Sequence, residues 1–442
     1  MRRILKAVGV PFAFVAATAA MTRLAAAADA PLRIDDAVKL ALAKNEAAQI
    51  ADYQVDVADA AVEKARVAFL PVVTATGSDT MRPSPIRGGP ASVPPFAITT
   101  PVNATTGALT ITQPVVNLSA WPLYRQAQRL LDAQRATSTD AKRILQFNAA
   151  NAFLQTLSQE AVLQAAQRRL DAANANLSDT TARAKAQLNS TNDVTRAQVD
   201  LAAAQQELAG DVGNVQKAYL ALSFVINTPT TGPLTSPAST LQAAAAPVPD
   251  AAALVTTAQN RRLDLVAAVH AARAAHLFAD EPMMRLAPVL GLTGILSDTP
   301  YLTTPNQPVA TLAATLTWTI YDAGSRYADK HSRSAQASIS DLQLDLLRRQ
   351  VTNDVHNAVV LLQASQDALK AAADGVTSSR KNVDETSVLY RQGLATALDL
   401  TTANDSRFEA EIAYSGAEYA MALAYLALRQ SMGLDPIGTE LR

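Results

Sequence analysis

Four histidines, His270, His276, His331 and His356, are the first residues whose chemistry has to be weighed. Zinc held by one helix needs ligands four residues apart on a shared face. His270 and His276 are six apart, so the spacing predicts solvated or interhelical imidazoles. Met283 and Met284 follow Asp280 and Glu281 closely and suggest a soft-metal contact. Methionines at a helix end more commonly fill packing gaps. Carboxylate pairs such as Asp35-Asp36 fall at helix starts, where the helix dipole favours them. The chain has no cysteine, no G-x-S-x-G, no P-loop and no glycine-rich dinucleotide turn. These residues predict a protein that is not an enzyme, with no cofactor and no metal.

The N-terminus reads as an export signal. Arg2, Arg3 and Lys6 precede a short apolar stretch, Val8 to Ala20, and Ala26-Ala27-Ala28 offers small residues for cleavage near Asp29. The stretch is short for a membrane span, although an uncleaved anchor is the alternative. Removing 1–28 takes away four positive charges and no negative one, moving the formal net charge from −1 to −5. A mildly acidic chain gives no electrostatic case for nucleic acid. Without disulfides, an exported chain of this length must hold together by packing. Aromatic residues are only 5% of the total, which suits long thin helices better than thick globular cores.

Such helices are written in the punctuation. No glycine occurs from Ala108 to Ala209, no proline from Leu123 to Thr228, and none from Val309 to Asp435. Ile144, Phe147, Ala150, Leu154, Leu157 and Ala161 keep a helical period, as do Leu344, Leu347, Val351, Val355, Ala358 and Leu362. The pattern predicts helices over about 119–186 and 325–392, each roughly 100 Å long and needing coiled-coil partners.

Before each long helix the period changes to two. Ala310 to Ile320 alternates an apolar set with a hydroxyl-rich one, and Leu109 to Thr112 does the same more briefly. Val72 to Thr80 and Val289 to Ser297 are the partner strands. Two hairpins are predicted, over 71–117 and 288–321, around a Pro/Gly-rich loop at 81–106 and a shorter one at 298–308. Strands of about ten residues cross a membrane when tilted. Trp121 with Tyr124, and Trp318 with Tyr321, fall at the helix-side ends. They read either as an aromatic belt at one membrane face or as packing at a strand-to-helix corner.

The halves are related. Gln187–Leu222 and Gly393–Leu428 align without a gap at an offset of 206, with eleven of 36 positions identical, including AYLAL at 218–222 and 424–428. PVVTATG at 71–77 answers PVLGLTG at 288–294. The expected organisation is a signal (1–28), a first repeat (29–226), a linker with room for one short helix (227–250), a second repeat (251–434) and a tail (435–442). Each repeat runs helix, hairpin, long helix, turn (186–192 or 392–398), helix. Four strands cannot close a barrel, and an open edge in lipid leaves backbone groups unsatisfied, so several chains must pool their hairpins.

The set of segments resembles the TolC-like outer-membrane efflux proteins over essentially the whole mature chain. PLRIDDAVKLALAKN (31–45) is similar to the family's first helix start. LTITQPVVNLSA (109–120) and LTWTIYDAGSR (316–326) are similar to its strand-to-helix junctions. QLNSTNDVTRAQ (187–198) and LYRQGLATALDLTTA (389–403) are similar to its two tip turns, and RQSMGL (429–434) to its last helix end. The resemblance implies a mostly α fold with a small β part. In it a homotrimer builds a twelve-stranded outer-membrane barrel, four strands per chain, continuous with a periplasmic helical barrel. It implies contact with outer-membrane lipid, a periplasmic adaptor and an inner-membrane pump. The adaptor would engage the tip turns, here Gln187-Leu188-Asn189 and Gly393-Leu394-Ala395, where Gln187 replaces the family's glycine. Asp399 would form the pore constriction, while Thr402 stands where the family has a second carboxylate. Tyr390 and Asp193 would latch the gate, and Ala395 replaces a latch arginine. Read from the residues alone, Asp193 and Asp399 are N-caps of the helices that follow. The expected function is an efflux exit duct. The alternatives are the exit duct of a type I protein-secretion system, and a periplasmic coiled-coil structural protein with no pore.

Overall fold

A computed structural model describes residues 31–81, 103–187, 190–298 and 308–438. The export signal, the loop at 82–102, and Leu188 and Asn189 of the first turn lie outside them. The elements run α1 (Ile34–Lys44), α2 (Glu46–Arg66), β1 (Val72–Met81), β2 (Asn103–Val116), α3 (Ala120–Lys185) and α4 (Thr191–Ile226). Then follow α5 (Ala238–Ala244), α6 (Ala251–Arg261), α7 (Leu263–Met284), β3 (Val289–Asp298), β4 (Val309–Thr317), α8 (Ser325–Arg391) and α9 (Ala397–Ser431). The chain divides into two compact units. One holds 31–51, Thr139–Leu263 and Arg348 onward; the other holds Asp52–Ser138 and Asp264–Leu347. Among the described residues no helix is long and apolar enough to cross a membrane.

The first unit owes its core to the helical period. Ile34, Ala37, Val38 and Ala41 turn one face of α1 onto Phe147, Phe153 and Leu154 of α3, with Leu222 and Ile226 of α4 and Ala422 and Leu426 of α9. Equivalent positions of the repeat are buried alike: Ala197 and Ala403, Leu222 and Leu428. The linker carries the short helix α5, and Leu234 makes a parallel bridge to Leu32.

The duplication also reaches a feature the sequence reading missed. The sequence predicts one helix before each hairpin, and each repeat has two. The 11-residue α1 and the 21-residue α2 are separated by Asn45 in extended backbone. The 11-residue α6 and the 22-residue α7 are separated in the same way by Arg262. Asn45 gives its side-chain N–H to Val225 O at 2.7 Å, and Arg262 gives Nη1 to Asp354 at 2.9 Å. Side chains bonded across to other helices hold both breaks.

The second unit contains one antiparallel sheet in the order β1-β2-β3-β4. Two expected boundaries need correction. β2 starts at Asn103, inside the segment read as loop, because β1 continues pairing to Met81↔Asn103. β4 stops at Thr317, although the alternation runs on to Ile320. There the guanidinium of Arg326 donates to Thr319 O and Ile320 O, drawing the chain out of the ladder. Asp322 anchors that corner, accepting from the backbone N–H of Gly324 and from both the N–H and the Nε of Arg326.

Register makes the sheet two-faced across all four strands. Val73 lies opposite Ile111, Ile111 opposite Gly294, and Gly294 opposite Leu312; Ala75, Leu109, Leu296 and Ala310 form the next row. Side chains in register share a face, so this face is apolar. The other carries Thr74, Thr76, Thr110, Thr112, Thr293, Thr311 and Thr315. Leu312 is 81% exposed and Leu316 64%. Among the described residues nothing covers the apolar face.

Candidate functional site

Two regions carry the residues singled out above: the helix-side end of the sheet and the two turns that end the long helices. At the sheet end, Phe69 meets Trp121 and Tyr124 edge-on, with centroids 6.0 Å apart, and the Trp121 and Tyr124 rings are tilted at 6.3 Å. Trp318 donates its indole N–H to Leu286 O at 2.9 Å. Trp121, Trp318 and Tyr321 remain largely exposed and Tyr124 is half-buried. Apolar rings with polar edges therefore sit at the rim of an exposed apolar face, the composition found at a membrane–water boundary.

At the turns, α8 ends in a left-handed residue, Gly393 (φ 74°). Gly393 N–H donates to Tyr390 O and Leu394 N–H to Leu389 O, a Schellman closure that satisfies the last carbonyls. α3 ends likewise, with Gln187 N–H on Ala184 O, but Gln187 must hold φ 61° with a side chain. Glycine would remove a left-handed cost of roughly 1–2 kcal/mol and lose about 0.5–1 kcal/mol to chain entropy. Gln187→Gly is therefore expected to protect the turn by roughly 0.5 kcal/mol, or about twofold slower amide exchange at Gln187. Unchanged or faster exchange there would show that the turn does not strain glutamine. Leu394 is exposed and Ala395 half-buried at the second turn.

Asp193 and Asp399 are not the N-caps. Ser190 and Thr396 are, and the two aspartates close reciprocal capping boxes from the third helical position. The signal was present as S-T-N-D at 190–193 and T-A-L-D at 396–399. The Thr396 hydroxyl, and then its backbone N–H, hold the Asp399 carboxyl below the usual carboxylate range. Asp399 is exposed and stays charged at neutral pH. Thr402 is exposed as well.

Tyr390 is buried. Arg183 of α3 stacks over its ring at 4.4 Å and donates Nη1 to its carbonyl at 3.5 Å, while Nε holds Asp179. The structure thus brings Tyr390 against an arginine the sequence reading did not single out. Nothing in the sequence marked Arg183, because its only local cue is an aspartate four residues earlier. Further along the same bundle, Arg169 of α3 bonds Glu207 and, at 3.2 Å, Asp405, with Asp200 at 3.8 Å. One cation thereby ties α4 and α9 to α3. Burial, with Asp405 adding to it, raises the Asp200 carboxyl.

Two of the four histidines face carboxylates on other helices: His276 Nε2 lies 2.9 Å from Asp341, within hydrogen-bond reach, and His270 Nδ1 lies 3.8 Å from Asp132, beyond it. Glu281, beside the two methionines, is buried between Arg285 and Arg333. Among the described residues no group of three or more His, Asp or Glu could hold a metal.

The sequence matches the family model described as outer membrane efflux protein over residues 37–228 and 254–434. No curated protein matches it. Solved structures share the fold. The crystal structure of CusC superposes with a TM-score of 0.79 at 16% identity, covering 92% of this chain and 93% of that one. VceC from Vibrio cholerae gives 0.75 at 17%, covering 91% and 96%. The open-state MtrE channel of Neisseria gonorrhoeae gives 0.74 at 18%, covering 91% and 89%.

Proposed function

Because the chain belongs to the outer membrane efflux protein family, a family of channels whose helical part extends into the periplasm, we propose that it is the exit duct of a tripartite efflux system. The observation that carries this reading is the sheet. One apolar face, one hydroxyl face and two outer strands with a single neighbour each describe a third of a barrel. Lipid tolerates no open edge, so β1 of one copy pairs with β4 of the next. Three copies make twelve strands, with the hydroxyl face toward the lumen and Val73, Leu109, Leu296 and Leu312 toward lipid. Trp121, Tyr124, Trp318 and Tyr321 then sit at the periplasmic membrane face.

The helices of the three copies pool into a tunnel whose tip is the two turns. Gly393-Leu394-Ala395 and Gln187-Leu188-Asn189 are the surfaces for a periplasmic adaptor, which couples the duct to an inner-membrane pump. Asp399 from three copies narrows the lumen and favours cations. Tyr390 and Asp193 hold the tip shut, with Arg183 as an added clamp. The duct is passive and performs no catalysis.

The test is extraction of outer membranes followed by electrophoresis with and without boiling. A trimer that collapses to monomer on heating is expected. Recovery of the mature chain as a soluble periplasmic monomer would sink the duct reading. A deletion strain with raised sensitivity to a panel of small toxic compounds would support efflux over protein export.

A further inference from the structure

The membrane-side start of α3 lines a basic cavity. Arg125, Arg129 and Arg135 of α3 line a cavity of about 580 Å³, closed by Asp132, by Val62 of α2 and by Leu277 of α7. Arg125 and Arg129 are one turn apart and share a helix face. Three guanidinium groups meet two carboxylates, Asp132 in the cavity wall and Asp59 beside it. Asp132 lies 3.3 Å from Arg129 and 4.0 Å from Arg135, and Arg135 also approaches Asp59 at 3.9 Å. Among the described residues Arg125 has no carboxylate partner; its guanidinium lies over the Trp121 ring at 5.3 Å. The second repeat balances its charges. Arg285 meets Glu281 and Asp329, Lys330 meets Asp280, and Arg333 meets Glu281.

Height along the helix says what the surplus charge faces. With Trp121 at the membrane boundary, Arg125 and Arg129 follow at roughly 6 and 12 Å along α3. Helical side chains lean toward the N-terminus, here toward the membrane, and an arginine head reaches several ångströms further. Both heads therefore enter the headgroup layer, which is about 5–8 Å deep on each side. Guanidinium groups bind phosphate oxygens through paired N–H donors.

We propose that this cavity binds the phosphodiester of a phospholipid from the periplasmic leaflet, with anionic headgroups preferred. Arg125 and Arg129 donate to the phosphate, Arg135 supplies long-range attraction, and Val62 with Leu277 meets the glycerol and the first methylenes. The apolar wall and the neighbouring tryptophan select a lipid over a free anion. This rests on the reading that the sheet enters the membrane at Trp121.

The test uses the full-length protein extracted in mild detergent, titrated with phosphatidylglycerol and read by native mass spectrometry. Wild type is expected to retain the lipid in the presence of millimolar inorganic phosphate. Arg125→Gln with Arg129→Gln is expected to weaken retention about tenfold, the loss of charge-assisted bonds. Lys330→Gln in the second repeat is expected to leave it unchanged. Equal retention in the double variant would overturn the site. Displacement by phosphate alone would make it a free-anion site and overturn the lipid assignment. If the double variant fails to assemble, Arg125→Gln alone carries the test, since among the described residues it breaks no ion pair, and about threefold weaker retention is expected. Failure of the membrane reading shows separately, as absence of the wild-type protein from the outer-membrane fraction before any lipid is added.

Discussion

Leu312→Arg is expected to eliminate the heat-modifiable trimer from the outer membrane, while Thr311→Arg, one residue away, leaves it assembled. Leu312 stands in mid-strand, 81% exposed, in a row with Val73, Ile111 and Gly294. A lipid-facing arginine near the bilayer midplane of a barrel costs about 2–4 kcal/mol. Three copies bear that cost in one assembly, so the total rivals the whole stability of an ordinary domain, about 5–15 kcal/mol. Thr311 points to the opposite face, where a charge meets water in the lumen, and its signature is altered conductance in planar bilayers. The contrast between neighbours tests the face assignment itself. Assembly of both variants would mean that the apolar face does not meet lipid. Loss of both would mean that the strand tolerates no arginine on either face.

The alternation that underlies this contrast was legible in the sequence because a strand with one face in oil and one in water is written with period two. The long helices were legible for a related reason. Glycine and proline are absent over long stretches, and apolar residues return every three or four positions. What remained hidden depends on contacts between distant segments. Asn45 and Arg262 interrupt helices that local propensity would continue, and the partners that hold them, Val225 and Asp354, are far away in sequence. The end of β4 is set by Arg326, whose guanidinium captures two carbonyls of a segment that still alternates. β2 contains Pro114, which argues against a strand, yet the register shifts between Pro114 and Val116 and the ladder accommodates it. The tip shows the same division. The turns and capping boxes are local and could be read, whereas the approach of Arg183 to Tyr390 is tertiary.

That approach shapes the second large effect. Tyr390→Phe combined with Asp193→Ala is expected to raise single-channel conductance, and so is Arg183→Gln alone. Phenylalanine keeps the ring under Arg183 and deletes the hydroxyl, whereas Arg183→Gln keeps the hydroxyl and deletes the cation. A stacked cation contributes about 0.5–2 kcal/mol. With one clamp per copy, three losses of about 1 kcal/mol favour the open tip by about 3 kcal/mol, roughly a hundredfold in the open-to-closed ratio. Asp193→Ala also removes one arm of the Ser190 capping box, which loosens the start of α4. Asp193→Asn therefore belongs beside it, since an amide oxygen still accepts from the Ser190 N–H. If Arg183→Gln opens the channel and Tyr390→Phe with Asp193→Asn does not, the clamp is the stacked guanidinium and the hydroxyl is a bystander. The reverse result assigns closure to the Tyr390–Asp193 pair. Wild-type conductance in every variant would remove this corner from the gate, leaving closure to the helix packing that Arg169 secures through Glu207 and Asp405.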